Sequence, residues 1–183
     1  NMPRARLSQA LGVQGVKAVT PLYLGITEWL NSDTRQQKQA LIFGLTPANP
    51  GLDLPELQAQ PLVLQRNDSV LFDTRSKRNA GPVAQTVRRD GHYDTELRGV
   101  RAVVEGLFTM GVTFAADINL ATSDTNFKNY FPDQSADDVQ IGVIQLEPDA
   151  DPRQVQATLR RFLDPSVRVL TLAELEAQEV AYW

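Results

Sequence analysis

His92, the single histidine of the chain, stands between Asp90 and Asp94, a pattern that could supply a general base and a carboxylate to orient it. A hydrolase built on it would also need a nucleophile. The chain has no cysteine, and no G-x-S-x-G segment presents a serine on a sharp turn, so His92 is expected to be a surface side chain. Gly106 and Gly111 are spaced like the two glycines of a phosphate-binding loop, but the Val112-Thr113 pair that follows lacks the required lysine. Asp149 and Asp151 are spaced like the first ligands of a calcium loop. The next ligand positions hold Arg153 and Val155, which makes helix capping the better use of Asp151. Asp137 and Asp138 read as a solvated loop, and Asn67-Asp68-Ser69 fits a glycosylation sequon, a weak motif by itself. No cluster offers three or four metal ligands. The expectation is a chain that is not an enzyme and needs no cofactor or metal, so that a chelator leaves its melting temperature unchanged.

The elements that would position any site follow from composition and periodicity. A length of 183 residues suits one domain or two small intertwined ones. The balance of 42% apolar and 22% charged residues argues against disorder or a fibrous repeat. No charge-free run reaches the ~20 residues of a membrane span; the longest, residues 39–52, contains Pro47 and Pro50. Net charge is −4 but uneven: residues 75–101 hold seven Arg or Lys against three Asp or Glu, and residues 117–183 hold five against twelve. The basic stretch carries only Tyr93 as a stacking aromatic, so nucleic acid is not an expected partner and a solvated charged face is the default.

Along the chain, residues 4–11 predict a short helix closed by a left-handed Gly12, and residues 13–24 and 39–45 predict strands. Pro55 starts a short helix that Pro61 stops. A strand over 69–73 precedes a basic loop with one helical turn near 83–88, and residues 91–97 and 100–108 pair as a hairpin. A strand at 118–122 leads to a helix capped by Ser123 or Asp124 and ended by Pro132. Residues 139–146 form an apolar run, as a strand buried on both faces should. Asp151-Pro152 opens a helix whose Val155, Leu159, Phe162 and Leu163 share one face. Residues 167–170 predict a strand, and Thr171 with Glu174 makes the capping box of a last helix running to Trp183. The ending is strand, helix, strand, helix, the pattern of a two-layer α/β unit.

Large apolar residues cluster in and after the glycine-punctuated segment 106–116. Phe108, Met110, Phe114, Phe127 and Tyr130 are candidates either for ordinary core or for contact with a partner. Tyr182 and Trp183 close the last helix with residue types enriched at membrane interfaces.

Gly12-Val13-Gln14-Gly15-Val16-Lys17-Ala18-Val19-Thr20-Pro21 resembles the start of periplasmic domains in MacB-like permeases, and Val103-Val104-Glu105-Gly106-Leu107-Phe108 resembles their central strand. Residues 106–117, with Leu120-Ala121-Thr122-Ser123-Asp124-Thr125-Asn126-Phe127, are similar to the DevC-type permeases of cyanobacteria. Asp149-Ala150-Asp151-Pro152 and Tyr182-Trp183 continue that similarity to the end of the chain. The resemblance implies an α/β (α+β) fold: a porter-like two-layer βαβ unit at residues 1–45 and 136–183, with a smaller Sabre-like subdomain inserted at 46–135. It implies a periplasmic domain between two membrane helices of an inner-membrane protein, with apolar spans expected before residue 1 and after Trp183. The implied partners are a periplasmic membrane-fusion (adaptor) protein, a cytoplasmic ATPase subunit, a second permease copy and, indirectly, a TolC-like outer-membrane channel, and the implied cargo is a glycolipid. A free-standing periplasmic binding or scaffold module is the alternative.

Overall fold

A computed structural model describes residues 1–110, 116–135 and 137–181. In chain order the elements are β1 (Met2–Pro3), α1 (Ala5–Leu11), β2 (Val16–Leu30), β3 (Gln37–Leu45), α2 (Pro55–Gln58), α3 (Pro61–Leu64), β4 (Ser69–Asp73), α4 (Val83–Asp90), β5 (Tyr93–Leu97), β6 (Val100–Phe108), β7 (Ile118–Ser123), α5 (Asp124–Tyr130), β8 (Asp138–Val139), β9 (Ile141–Leu146), α6 (Pro152–Phe162) and α7 (Leu172–Ala181). They form a mixed α/β fold around a mixed sheet.

The long strand β2 belongs to two structures at once. Its first half, Val16–Leu22, pairs antiparallel with β9. Its second half pairs antiparallel with β3 from Tyr23↔Gly44 to Leu30↔Gln37. From β3 the order runs through β7, β4, β6 and β5, and Trp29↔Leu97 returns it to β2. Six strands therefore close on themselves, which removes free edges from this part of the sheet.

Strand alternation sorts the side chains of this ring. Tyr23, Trp29, Ala40, Ile42, Val70, Phe72, Val104 and Leu120 form one cluster, closed at opposite ends by Val83 and Val87 of α4 and by Phe127, Tyr130 and Phe131. Leu41, Phe43, Leu45, Leu71 and Ala121 face the other way and are covered by Leu57 of α2 and Leu64 of α3. Trp29 has no exposed surface, donates its indole N–H to the Ala80 carbonyl at 3.0 Å, and stacks on Tyr93 at 6.1 Å between centroids. Burying a ring of this size with its polar atom satisfied contributes on the order of 3 kcal/mol.

A third cluster lies outside the ring. Ala10 and Val13 pack on Val155 and Leu159 of α6 and on Leu163 just after it, over the outward half of β2 and β9. Both described ends of the chain lie beside this unit: Met2, which pairs with Val139 and packs on the ring's cluster, lies against Gly142 of β9, and α7 is tied to α6 by Gln156 and Glu174.

Strand β3 pairs parallel with β7, so residues 23–45 are hydrogen-bonded into the ring. Several expectations are corrected. Strand β9 is an edge strand with Ile141 41% exposed, because only β2 pairs with it. Residues 167–170 form no strand; the Val169 carbonyl accepts from the Gln156 amide and the Arg160 guanidinium instead of from a ladder. Phe162 is 71% exposed, so the apolar face of α6 is narrower than its periodicity. Gly12 is right-handed, with φ −76°, and Pro61 opens α3 where it was expected only to stop a helix.

Candidate partner surface

The two ends of the strand ring are built from different chemistry. At one end Ser123 caps α5, its hydroxyl accepting from the Asn126 N–H at 3.0 Å, and the helix lays Phe127 on the ring. Gly44 makes this possible, since a Cβ there would stand 2.7 Å from the Phe127 ring; a Cβ at Gly25 would collide with Phe131 in the same way. Phe127 and Phe131 stack at 4.6 Å. The Tyr130 hydroxyl reaches the carbonyls of Asp68 and Arg101 at 3.3 and 3.4 Å, and burial pushes its pKa well above the usual tyrosine range.

At the other end, beside the buried Val83 and Val87 of α4, a group of side chains is polar. Asp73, fully buried, ends β4 and accepts from the backbone N–H groups of Arg75 and Met110 at 3.0 and 3.1 Å and from the Asn119 amide at 3.1 Å. The Asn119 backbone N–H donates to the Ser76 hydroxyl at 3.1 Å, and the Thr74 N–H donates to the Phe108 carbonyl at 2.9 Å. One carboxylate thus clamps the loop after β4, the exit of β6 and the start of β7. Around this clamp lie Arg75, Lys77 and Arg78 in the loop and Lys38 on β3. Lys77 is paired with Asp117 at 2.6 Å, and that hydrogen bond, with one from Asn79, holds the Asp117 carboxyl below the usual aspartate range. Among the described residues neither Arg75 nor Arg78 forms an ion pair, and both are exposed.

The aromatic residues offered by the sequence as partner contacts are mostly not on a surface. Phe108, Phe127 and Tyr130 are 1%, 2% and 2% exposed, and Phe127 fills the slot that Gly44 leaves. Met110 is half-buried against the cluster under α2 and α3. Phe114, Tyr182 and Trp183 lie outside the described residues. His92 stays at the surface, 3.6 Å from Asp94, with no serine or threonine hydroxyl bonded to it among the described residues. No group of three or more His, Asp or Glu side chains converges there either. The basic rim was visible in sequence only as the charge excess of residues 75–101; Lys38, 37 positions before Arg75, carries no sequence signal that joins it.

No family model matches the chain, and no curated protein matches it in sequence. Solved structures do match its fold. The extracellular domain of the noncanonic ABC-type transporter YknZ from Gram-positive bacteria is similar over 90% of this chain and 83% of its own, with a TM-score of 0.58 and 12% identity. The periplasmic region of MacB from Actinobacillus actinomycetemcomitans is similar over 88% of this chain and 74% of its own, with a TM-score of 0.56 and 14% identity. The chain therefore has the fold of these permease domains. Among the described residues no helix is long and apolar enough to cross a membrane.

Proposed function

We propose that this chain is the extracytoplasmic domain of an ABC-exporter permease, of the DevC type, acting mechanically and without bond chemistry. The observation that carries the reading is the likeness to the YknZ and MacB domains over nearly the whole chain. The topology supports it: both described ends leave from the α1–β9–α6 unit, as two membrane anchors would require, while β2 runs from that unit into the strand ring. The unit holding both ends is then the porter-like part, and the ring is the inserted part.

Movement of the membrane helices, driven by a cytoplasmic ATPase subunit, would pass through the two ends into the porter-like unit. In a pair of permease copies it would shift the rings against one another and press cargo into a periplasmic adaptor protein and a TolC-like channel. The continuous strand β2 is the link, pairing antiparallel with β9 through Val16–Leu22 and antiparallel with β3 through Tyr23–Leu30. A glycolipid is the cargo proposed. Met110, with Phe114 beside it in sequence, remains the apolar contribution to adaptor contact.

The test is isolation of the tagged full-length protein from native membranes in mild detergent. Co-isolation of an ATPase subunit in stoichiometric amount, with loss of glycolipid export on deletion of the gene, is the expected result. Recovery from the periplasmic fraction without an ATPase would instead favour a free-standing scaffold module.

A further inference from the structure

The rim opposite α5 has a property that the fold likeness does not supply. Its cations come from separate stretches, Arg75, Lys77 and Arg78 from the loop after β4 and Lys38 from β3, while the chain as a whole carries −4. Asp117 neutralises only Lys77 by direct contact. Lys38 is drawn to the same carboxylate at longer range. The loop is not free to fold its charges away: Asp73 holds the Arg75 N–H, the Asp117 carbonyl holds the Lys77 N–H at 2.8 Å, and the Asn31 amide holds the Asn79 carbonyl at 3.1 Å. Arginines without ion pairs among the described residues, carried on a backbone held in this way, are what an acidic surface can bind with little ordering of the loop.

We propose that this rim is an electrostatic seat for an acidic surface of a partner protein, with Arg75 and Arg78 as its principal contacts and Lys38 and Lys77 as supporting charge. The half-buried Met110, whose N–H is held by the same Asp73 carboxylate, puts an apolar group beside the cations, the mixture of Met and Arg that protein interfaces favour. No exposed aromatic accompanies them among the described residues, which argues against a single-stranded nucleic acid. The rim lies at the end of the ring far from the unit that holds both chain ends, so a partner seated there is clear of the membrane. This assignment rests on the exporter reading, and the adaptor is the partner it names.

The experiment measures binding of the adaptor's soluble periplasmic part, taken from the same gene cluster, to this chain and to three charge variants. Arg75→Glu with Arg78→Glu is expected to weaken binding about tenfold or more and to flatten its salt dependence. Arg75→Gln with Arg78→Gln should lie between that variant and the parent. Arg153→Glu with Arg161→Glu makes the same change in net charge on α6 and should leave affinity within about twofold. If the parent chain binds and the rim variant binds equally well, the seat is refuted while the exporter reading stands. If the parent chain does not bind the adaptor at all, both fall. If heparin binds at the rim and competes for no adaptor contact, the seat is for a polyanion and the proposal is wrong.

Discussion

The two ends of the strand ring use opposite means to close the same barrel. At the α5 end, Phe127 and Phe131 sink into slots left by Gly44 and Gly25, and the closure is apolar. At the Asp73 end a buried carboxylate collects backbone N–H groups from two segments, and its rim is charged. The difference teaches that an aromatic residue near glycine in sequence says little about exposure: glycine opens room for the ring, and room beside a sheet is where a ring becomes core. The proposed partner contact falls at the end whose rim is charged.

The largest expected effect breaks the apolar end. Phe127→Ala should cost about 3 to 5 kcal/mol of unfolding free energy, measured by urea denaturation, because it leaves a cavity where Phe131, Tyr23 and Gly44 now meet. A loss below about 1 kcal/mol would mean that α5 is a loosely held surface helix. Next comes the polar clamp: Asp73→Ala should cost about 2 to 3 kcal/mol, since the Met110 N–H and the Asn119 amide lose a charged acceptor in a buried site. An unchanged midpoint would show that water replaces the carboxylate and that the rim is not held by it.

Alkali should act on the apolar end. The folded pKa of Tyr130 lies above its ordinary value of 10.0, so the native state keeps a proton that the unfolded chain releases. Stability is then flat below about pH 10 and falls as pH rises beyond it, with a limiting slope of ~1.4 kcal/mol per pH unit for this one proton. Tyr130→Phe should remove that part of the alkaline loss. A variant that unfolds in alkali like the parent would deny the burial of this hydroxyl.

Much of the fold was legible in the sequence where local chemistry decides it. Thr171 and Glu174 form the expected reciprocal box, with bonds of 3.0 and 3.2 Å, and Asp151 and Ser123 cap α6 and α5. The hairpin of β5 and β6 turns at Arg98 and Gly99, both with positive φ. What stayed hidden depends on distant partners. The continuation of β2 from Leu24 to Leu30 needs β3 beside it and Phe131 over Gly25. The change of partner from β9 to β3 lies inside that strand, where composition does not change. Of the candidate site, the apolar members were visible but are chiefly core, whereas the rim gathers residues that only the β3–β7–β4 order brings together.

The smallest expected effect sharpens the contrast. Arg75→Glu with Arg78→Glu should change unfolding free energy by less than about 0.5 kcal/mol, because both side chains are solvated and without ion pairs. A large loss would make the rim a structural feature like the α5 end.

The central claim concerns where the chain works, and its lack of cysteine, with any cysteine elsewhere in the full-length protein replaced by serine, allows a direct measurement. A single Arg78→Cys substitution in the full-length protein places a thiol on the exposed rim, which a maleimide that cannot cross the inner membrane labels only from outside. The account predicts labelling in intact spheroplasts, on a protein that stays with the membrane after alkaline carbonate extraction. Labelling that requires lysis of the inner membrane, or a labelled protein released by carbonate, would contradict it.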